Sequence, residues 1–278
     1  MGSRGLLRVY WAEWPGDPFY NLAFEEAFYR SAPLPSVRFW RNDRVVVIGR
    51  FQCAALEVNA LEARRLGVWL VRRFTGGGAV YHDLGNLNYS ILLPRSVASG
   101  IPEAFRLVGG MVVDALETLG VRGARYRPLN DIEVDGAKVS GLAASSSSTR
   151  ILIHGAMLVS SNLSILARVL KVSPEKLSDK RFTPSRRSRV TTLEEELGRR
   201  VDPWEAARAI LDVASERLGL EPAEAEASSL EAEAEKLYRE KYSRPEWNLR
   251  YLPLLEDSLA VEEVEALKSI ARPGGVRR

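Results

Sequence analysis

Apolar residues recur along this chain with different periods, and each period predicts a different kind of element. From Val37 to Ile48 the run VRFWRNDRVVVI is two β-branched and aromatic segments divided by Asn42 and Asp43, which predicts a β-hairpin. A second strand pair is expected at GVWLVRRF and LNYSILL. In the latter, Leu87, Tyr89 and Ile91 alternate with Asn88 and Ser90, the pattern of an antiparallel strand with one buried face and one polar face. Phe105, Val108, Val112, Ala115, Leu116 and Leu119 share one helical face, with Pro102 in the first turn and Gly120 at the end, so the spacing predicts a helix over 101–120. Another helix should follow Asp202-Pro203 and run to about Leu218. The stretch EPAEAEASSLEAEAEKLYREKY reads as a solvated helix because Ala and Glu are strong helix formers, and ARPGGVRR as a frayed tail. Strands scattered among helices without βαβ alternation predict an α+β fold, a mixed, largely antiparallel sheet flanked by helices.

Composition narrows the class. The 278 residues fall just short of two domains of about 150 residues each. With 46% hydrophobic and 27% charged residues the chain is globular, not collagen-like or disordered. The single Cys53 cannot form an intramolecular disulfide, MGSRGLLRVYW has no signal-like apolar core, and no apolar run reaches the roughly 18 residues of a membrane span. A cytoplasmic protein that does not engage a membrane is expected. A net charge of +3 gives no argument for nucleic-acid binding. Only seven lysines stand against 32 arginines, which fits a hot, thermophilic or GC-rich origin and makes the first of them, Lys138, conspicuous.

Three segments carry candidate chemistry. Gly76-Gly77-Gly78 follows a strand holding Arg72 and Arg73 and precedes His82-Asp83, so its bare amides form a candidate anion site. A glycine-rich connection is the competing reading, and neither a Walker A loop nor a dinucleotide fingerprint is present. In NDIEVDGAKVSG, Asp135-Gly136 predicts a tight turn that places Lys138 on the second strand, where an ammonium can reach a ligand oxygen. Asn130-Asp131 is a candidate magnesium site through the Asp131 carboxylate, against the commoner role of such a residue in a turn. His154 reads more readily as a hydrogen-bonded structural residue than as a ligand. The basic group Lys180, Arg181, Arg186, Arg187 and Arg189 is either a solvated loop, a dock for an acidic partner, or the rim of a polyphosphate pocket.

Taken together, RRFTGGGAVYHDLGNLNYS, NDIEVDGAKVSG, HGAML and SRVTTL resemble, in order and spacing, the lipoate-protein ligase A family; NLAFEEAF, RFWRNDRVVVIGRFQ and EKYSRPEWN extend the likeness over Tyr10 to Asn248. The resemblance implies the catalytic-domain fold of biotin and lipoate ligases over 1–250, with 251–278 an extension too short for a separate accessory domain. It implies ATP-dependent activation of lipoate to lipoyl-adenylate and transfer to a lysine of a lipoyl carrier, either the lipoyl domain of a 2-oxoacid dehydrogenase complex or the H protein of glycine cleavage. It further implies that Arg73, Gly76, Gly77, Gly78, Ala79, Val80, Tyr81, His82, Asn130, Asp131, Lys138 and His154 hold ATP and lipoate, with Mg²⁺ near Asp131 and Lys138 as the catalytic residue.

The chain departs from the family where Ile153-His154 stands for two adjacent histidines and AASSSSTR for a Gln/Arg-containing loop. The short C-terminus leaves two expectations, a separate accessory ligase subunit or transfer alone from a preformed adenylate. Competing readings are a lipoyl or octanoyl transferase, for which the family's cysteine place near Leu129-Asn130 is empty of cysteine, biotin ligase, and a non-catalytic lipoate-binding partner.

Overall fold

The computed structural model describes residues 5–171 and 188–274. Its first half runs β1 (Leu6–Trp11), α1 (Pro18–Ser31), β2 (Ser36–Trp40), β3 (Val45–Ile48), α2 (Ala54–Glu57), α3 (Ala60–Arg65), β4 (Trp69–Arg72), β5 (Val80–His82), β6 (Asn86–Pro94) and α4 (Ile101–Thr118). There follow β7 (Ala124–Arg127), β8 (Asp131–Val134), β9 (Ala137–Ser146), β10 (Arg150–Leu158), α5 (Leu163–Val169), α6 (Leu193–Leu197), α7 (Pro203–Leu218), β11 (Glu221–Glu224), α8 (Ser228–Leu237), α9 (Pro245–Asn248) and α10 (Val261–Ile270).

An eight-stranded sheet has the order β11-β1-β2-β6-β10-β9-β8-β7, and a three-stranded sheet the order β4-β3-β5. Among the described strands, the β11–β1, β1–β2 and β3–β4 pairs are parallel and the others antiparallel. This is the α+β, largely antiparallel arrangement that the element order predicts. Helix α4 starts at Ile101 with Pro102 in its first turn, and α7 starts after Asp202, whose side chain accepts from the Trp204 amide.

Strand pairing differs from the local pattern. β2 pairs with β1 and β6, whereas β3 pairs with β4 and β5, so VRFWRNDRVVVI passes between two sheets and is not a hairpin. Both segments are buried throughout, and a strand covered on both faces carries no alternation to reveal its partner. GVWLVRRF and LNYSILL likewise lie in different sheets. The Ala/Glu-rich stretch is not one solvated helix either: Glu221–Glu224 forms an edge strand beside β1, and α8 buries Leu230, Ala234 and Leu237. At the C-terminus, Ala271 is buried and accepts from Asn248 Nδ2, so the expected fraying does not begin there.

Leu87, Tyr89 and Ile91 pack with Val108, Val112 and Ile210 of α4 and α7 on one face of the large sheet. The opposite face meets α1, the small sheet and α8 through Leu92, Leu152, Phe24, Val47 and Leu237. Asn88 and Ser90 point to this second side and are buried, so the polar face of the strand looks into the protein instead of into solvent. A third core joins the small sheet to α3 and α10 through Val46, Ala63 and Leu267. No helix among the described residues is long and apolar enough to cross a membrane.

Candidate active site

Between the large sheet and the small one lies a cavity of about 390 Å³. Its floor is a row of facing residues across the large sheet: Asp131 on β8, Gly141 on β9, Ala156 on β10, Asn88 on β6 and Trp40 on β2. Gly141 and Ala156 keep the middle of the row low. At about 4.8 Å between strands, the four steps from Asp131 to Trp40 make a trough about 19 Å long.

The glycine loop closes one wall. Gly77, at φ +92°, and Gly78 line the cavity with Ala79, Val80 and His82. A methyl group on Gly49 would collide with the Gly77 carbonyl, so Gly49 allows the loop to lie directly against the end of β3. The two arginines before the loop have different duties. Arg72 turns away and donates to the carbonyls of Gly49, Arg50, Gln52, Trp247 and Asn248, which corrects its reading as part of an anion site. Arg73 lines the cavity and donates to Gly76 O at 2.6 Å and Gly78 O at 2.8 Å. Burial, reinforced by the charge of Arg72, lowers its pKa to about 10.

On the opposite end of the trough floor, Asp135 (φ 47°) and Gly136 (φ 79°) form the expected tight turn, and Lys138 emerges just beyond it. Lys138 Nζ lies 2.7 Å from Asp131 Oδ1, and Arg127 Nη2 lies 2.7 Å from Asp131 Oδ2. A methyl on Gly141 would sit 2.6 Å from Lys138 Nζ, so glycine leaves room for the lysine to fold back over the floor. The Ser188–Leu193 motif runs alongside: Lys138 N donates to Arg189 O, and Thr191 N donates to Lys138 O. Asn130 donates to Leu142 O at 2.6 Å, extending the β8–β9 junction beside Asp131.

Behind the cavity sits a buried charge network. Arg38, fully buried, pairs with Glu25 at 3.0 Å and lies between the rings of Phe24 and Trp40. Burial would raise the pKa of Glu25, but the hydrogen bond from His154 and the charge of Arg38 outweigh it and hold the carboxyl below its ordinary value. Asn21 fixes the neighbouring amides. Its Oδ1 accepts from Trp14 N and Arg38 Nη2, so its Nδ2 donates to Asn42 Oδ1, and Asn42 Nδ2 donates to His82 Nδ1. His82 therefore carries its hydrogen on Nε2, which has no protein partner among the described residues; Asn88 Nδ2 is in the same position. Both residues line the cavity.

His82 also makes acid stability testable. Burial, with added repulsion from Arg73, pushes its pKa down to about 3. The ordinary histidine value is about 6.5. The unfolded chain thus binds the extra proton first, so the stabilising contribution is complete above about pH 6.5 and is lost as the pH falls through the window down to about 3. Urea unfolding from pH 7 to pH 4 is expected to show this loss, and His82→Asn to flatten it; equal pH slopes would refute the assignment.

The family model for the lipoyl protein ligase A/B catalytic domain matches residues 17–215. The chain belongs to this family. Lipoate-protein ligase A subunit 1 of Thermoplasma acidophilum is 38% identical over 88% of this chain and 97% of its own length. The solved bi-partite lipoate protein ligase of Thermoplasma acidophilum, described with its E2 lipoyl domain, superposes with a TM-score of 0.76 at 35% identity, covering 89% of this chain and 97% of that one. A lipoate-protein ligase A bound with ATP gives a TM-score of 0.76 at 34% identity, covering 89% and 99%.

In this lipoate-ligase catalytic fold, the cavity gathers Arg73, Gly77, Gly78, Ala79, Val80, His82, Asn130, Asp131, Lys138 and His154. Gly76 and Tyr81 do not line it; Tyr81 packs into the core under α3 and α10. Lys180, Arg181, Arg186 and Arg187 lie outside the described residues. Cys53 is buried at the start of α2, with Sγ 3.6 Å from Tyr251 O, and is not part of the cavity. Arg127, Gly49, Thr75, Glu25, Arg38 and Asn88 escape sequence reading. The available signal is a charge inside an apolar run, Glu25 in NLAFEEAF and Arg38 in VRFW.

Proposed function

We propose that this chain activates lipoate with ATP to lipoyl-adenylate and passes the lipoyl group to a lysine of a carrier domain. The observation that carries this reading is Lys138, held 2.7 Å from Asp131 on a trough long enough for an acyl chain and a nucleotide together. Adenylation brings a carboxylate against an α-phosphate, and like charges must be neutralised before they meet. Among the described residues, Lys138, Arg73 and Arg127 line the cavity with the carboxylate of Asp131, and Arg127 is also paired with Glu133 at 2.6 Å. On ligand binding, Lys138 exchanges Asp131 for phosphate and acyl oxygens, and Arg127 keeps Asp131 paired. Lys138 stabilises charge developing in both steps, while the carrier's lysine is the nucleophile.

A hard cation fits this donor set only as a one-carboxylate site, since no group of three His, Cys, Asp or Glu residues converges among the described residues. Asp131, next to Asn130, would hold Mg²⁺ together with phosphate oxygens, and the ion would supply further charge neutralisation. His82 and Asn88 would satisfy their donors on a ligand acceptor, and the amides of Gly77, Gly78 and Ala79 would cover the phosphate.

The catalytic unit is read as residues 1–250, with 251–278 as an extension. The relative named as a subunit, and the bi-partite ligase with its E2 lipoyl domain, support a two-chain enzyme acting on a lipoyl carrier of the 2-oxoacid dehydrogenase or H-protein kind. The purified chain is then expected to transfer lipoyl from synthetic lipoyl-adenylate and to form little adenylate from ATP without a partner polypeptide. Lipoate-dependent pyrophosphate release, measured with mass spectrometry of the carrier, tests both halves. Fast release from the chain alone would sink the two-chain reading and spare the ligase; no acyl transfer from the adenylate would sink the ligase reading.

A further inference from the structure

We propose that Glu25, His154 and Thr75 are positioning residues: they form a directed hydrogen-bond chain that fixes Arg73, and through Arg73 the shape of the Gly76–Gly78 loop. The proposal deepens the ligase reading only in taking this loop as part of the ligand site.

The direction of the chain follows from donor and acceptor chemistry. Glu25 is fully buried and accepts from Arg38 Nη1 at 3.0 Å and Ser90 Oγ at 2.6 Å. An ionised carboxylate only accepts, so His154 Nδ1, 3.3 Å from Glu25 Oε1, carries the ring hydrogen. In the neutral ring Nε2 is then the acceptor, and Thr75 Oγ1, 2.8 Å away, donates to it. The Thr75 oxygen in turn accepts from Arg73 Nε at 3.1 Å. Every donor points the same way, from Arg73 through Thr75 and His154 to Glu25.

At its near end the chain governs the loop. Arg73 Nη2 donates to both Gly76 O and Gly78 O, Nε shares its hydrogen with Gly76 O, and Nη1 reaches Val47 O at 3.4 Å. Among the described residues no carboxylate pairs with Arg73, although its guanidinium is buried; its hydrogen bonds go to the carbonyls of Val47, Gly76 and Gly78 and to Thr75 Oγ1. The chain also crosses the cavity, since His154 faces Ser90 on the large sheet while Thr75 and Arg73 belong to the loop leaving the small one. Its length therefore sets how far the glycine loop stands above the trough floor. None of the three residues needs to exchange a proton with substrate for this.

Thr75→Val keeps the side-chain shape and removes the hydroxyl; Thr75→Ser keeps the hydroxyl. Hydrogen–deuterium exchange of the peptide covering residues 73–80 is expected to be about tenfold faster in Thr75→Val, with the substrate KM raised about tenfold and kcat within about threefold. Thr75→Ser should restore both. Unchanged exchange in Thr75→Val would overturn the proposal, and so would equal damage in Thr75→Ser, which would mean packing and not hydrogen bonding. Exchange is read on the ligand-free protein, so the outcome stands apart from whether the chain proves to be a ligase.

Discussion

Lys138→Ala is expected to lower kcat/KM for carrier lipoylation by about a hundredfold or more, the loss seen when one preorganised donor to a developing charge is removed. Stability should hardly change. The Lys138 backbone stays paired with Arg189 and Thr191, and Asp131 keeps Arg127 at 2.7 Å, so no charge is orphaned. Lys138→Arg should not rescue the rate, because the side chain folds onto Gly141, where a planar guanidinium needs more room than a compact ammonium. Steady-state kinetics and thermal melts read both effects. Near-wild-type turnover in Lys138→Ala would remove the residue from the mechanism.

The largest stability loss is expected from Arg38→Met. Glu25 would remain in a dry site with its main countercharge gone, and breaking a fully buried pair from one side costs about 3–5 kcal/mol. The sign of the pH dependence reverses as well. In the natural protein the Glu25 pKa is held low, so its contribution is present above the ordinary carboxylate range and fades as pH falls through the lowered value. Without Arg38, burial dominates and raises that pKa, so the variant recovers stability as the carboxyl takes up a proton. Urea unfolding at pH 7 and pH 5 should show a smaller deficit at pH 5. The same deficit at both would mean that lost packing against Phe24 and Trp40, not charge, is responsible.

Local pattern located elements better than it located their partners. Helices α4 and α7 begin where Pro102 and Asp202-Pro203 put them, because caps and apolar stripes are short-range signals. The strands β2, β3 and β4 are legible as strands, yet each is buried on both sides, and the choice between two sheets lies in contacts far apart in sequence. The site divides the same way. A glycine triplet, a tight Asp-Gly turn and a scarce lysine announce themselves locally. Glu25, Thr75 and Arg38 acquire roles only when α1, the loop after β4 and β2 converge. Even the alternation in LNYSILL was half an answer: the polar face exists, but it faces a cavity.

The cations around the cavity also bear on how such a protein would survive its own product. A mixed carboxylic–phosphoric anhydride acylates amines, and any lysine within reach is a target, whereas a guanidinium stays protonated and is no nucleophile at neutral pH. Among the described residues, two of the three cations that line the cavity are arginines, Arg73 and Arg127, which leaves Lys138 as the one amine on its wall. With seven lysines in 278 residues, the chain offers few competing amines to a leaking intermediate. An arginine-rich wall would thus leave few nucleophilic amines beside a reactive acyl group.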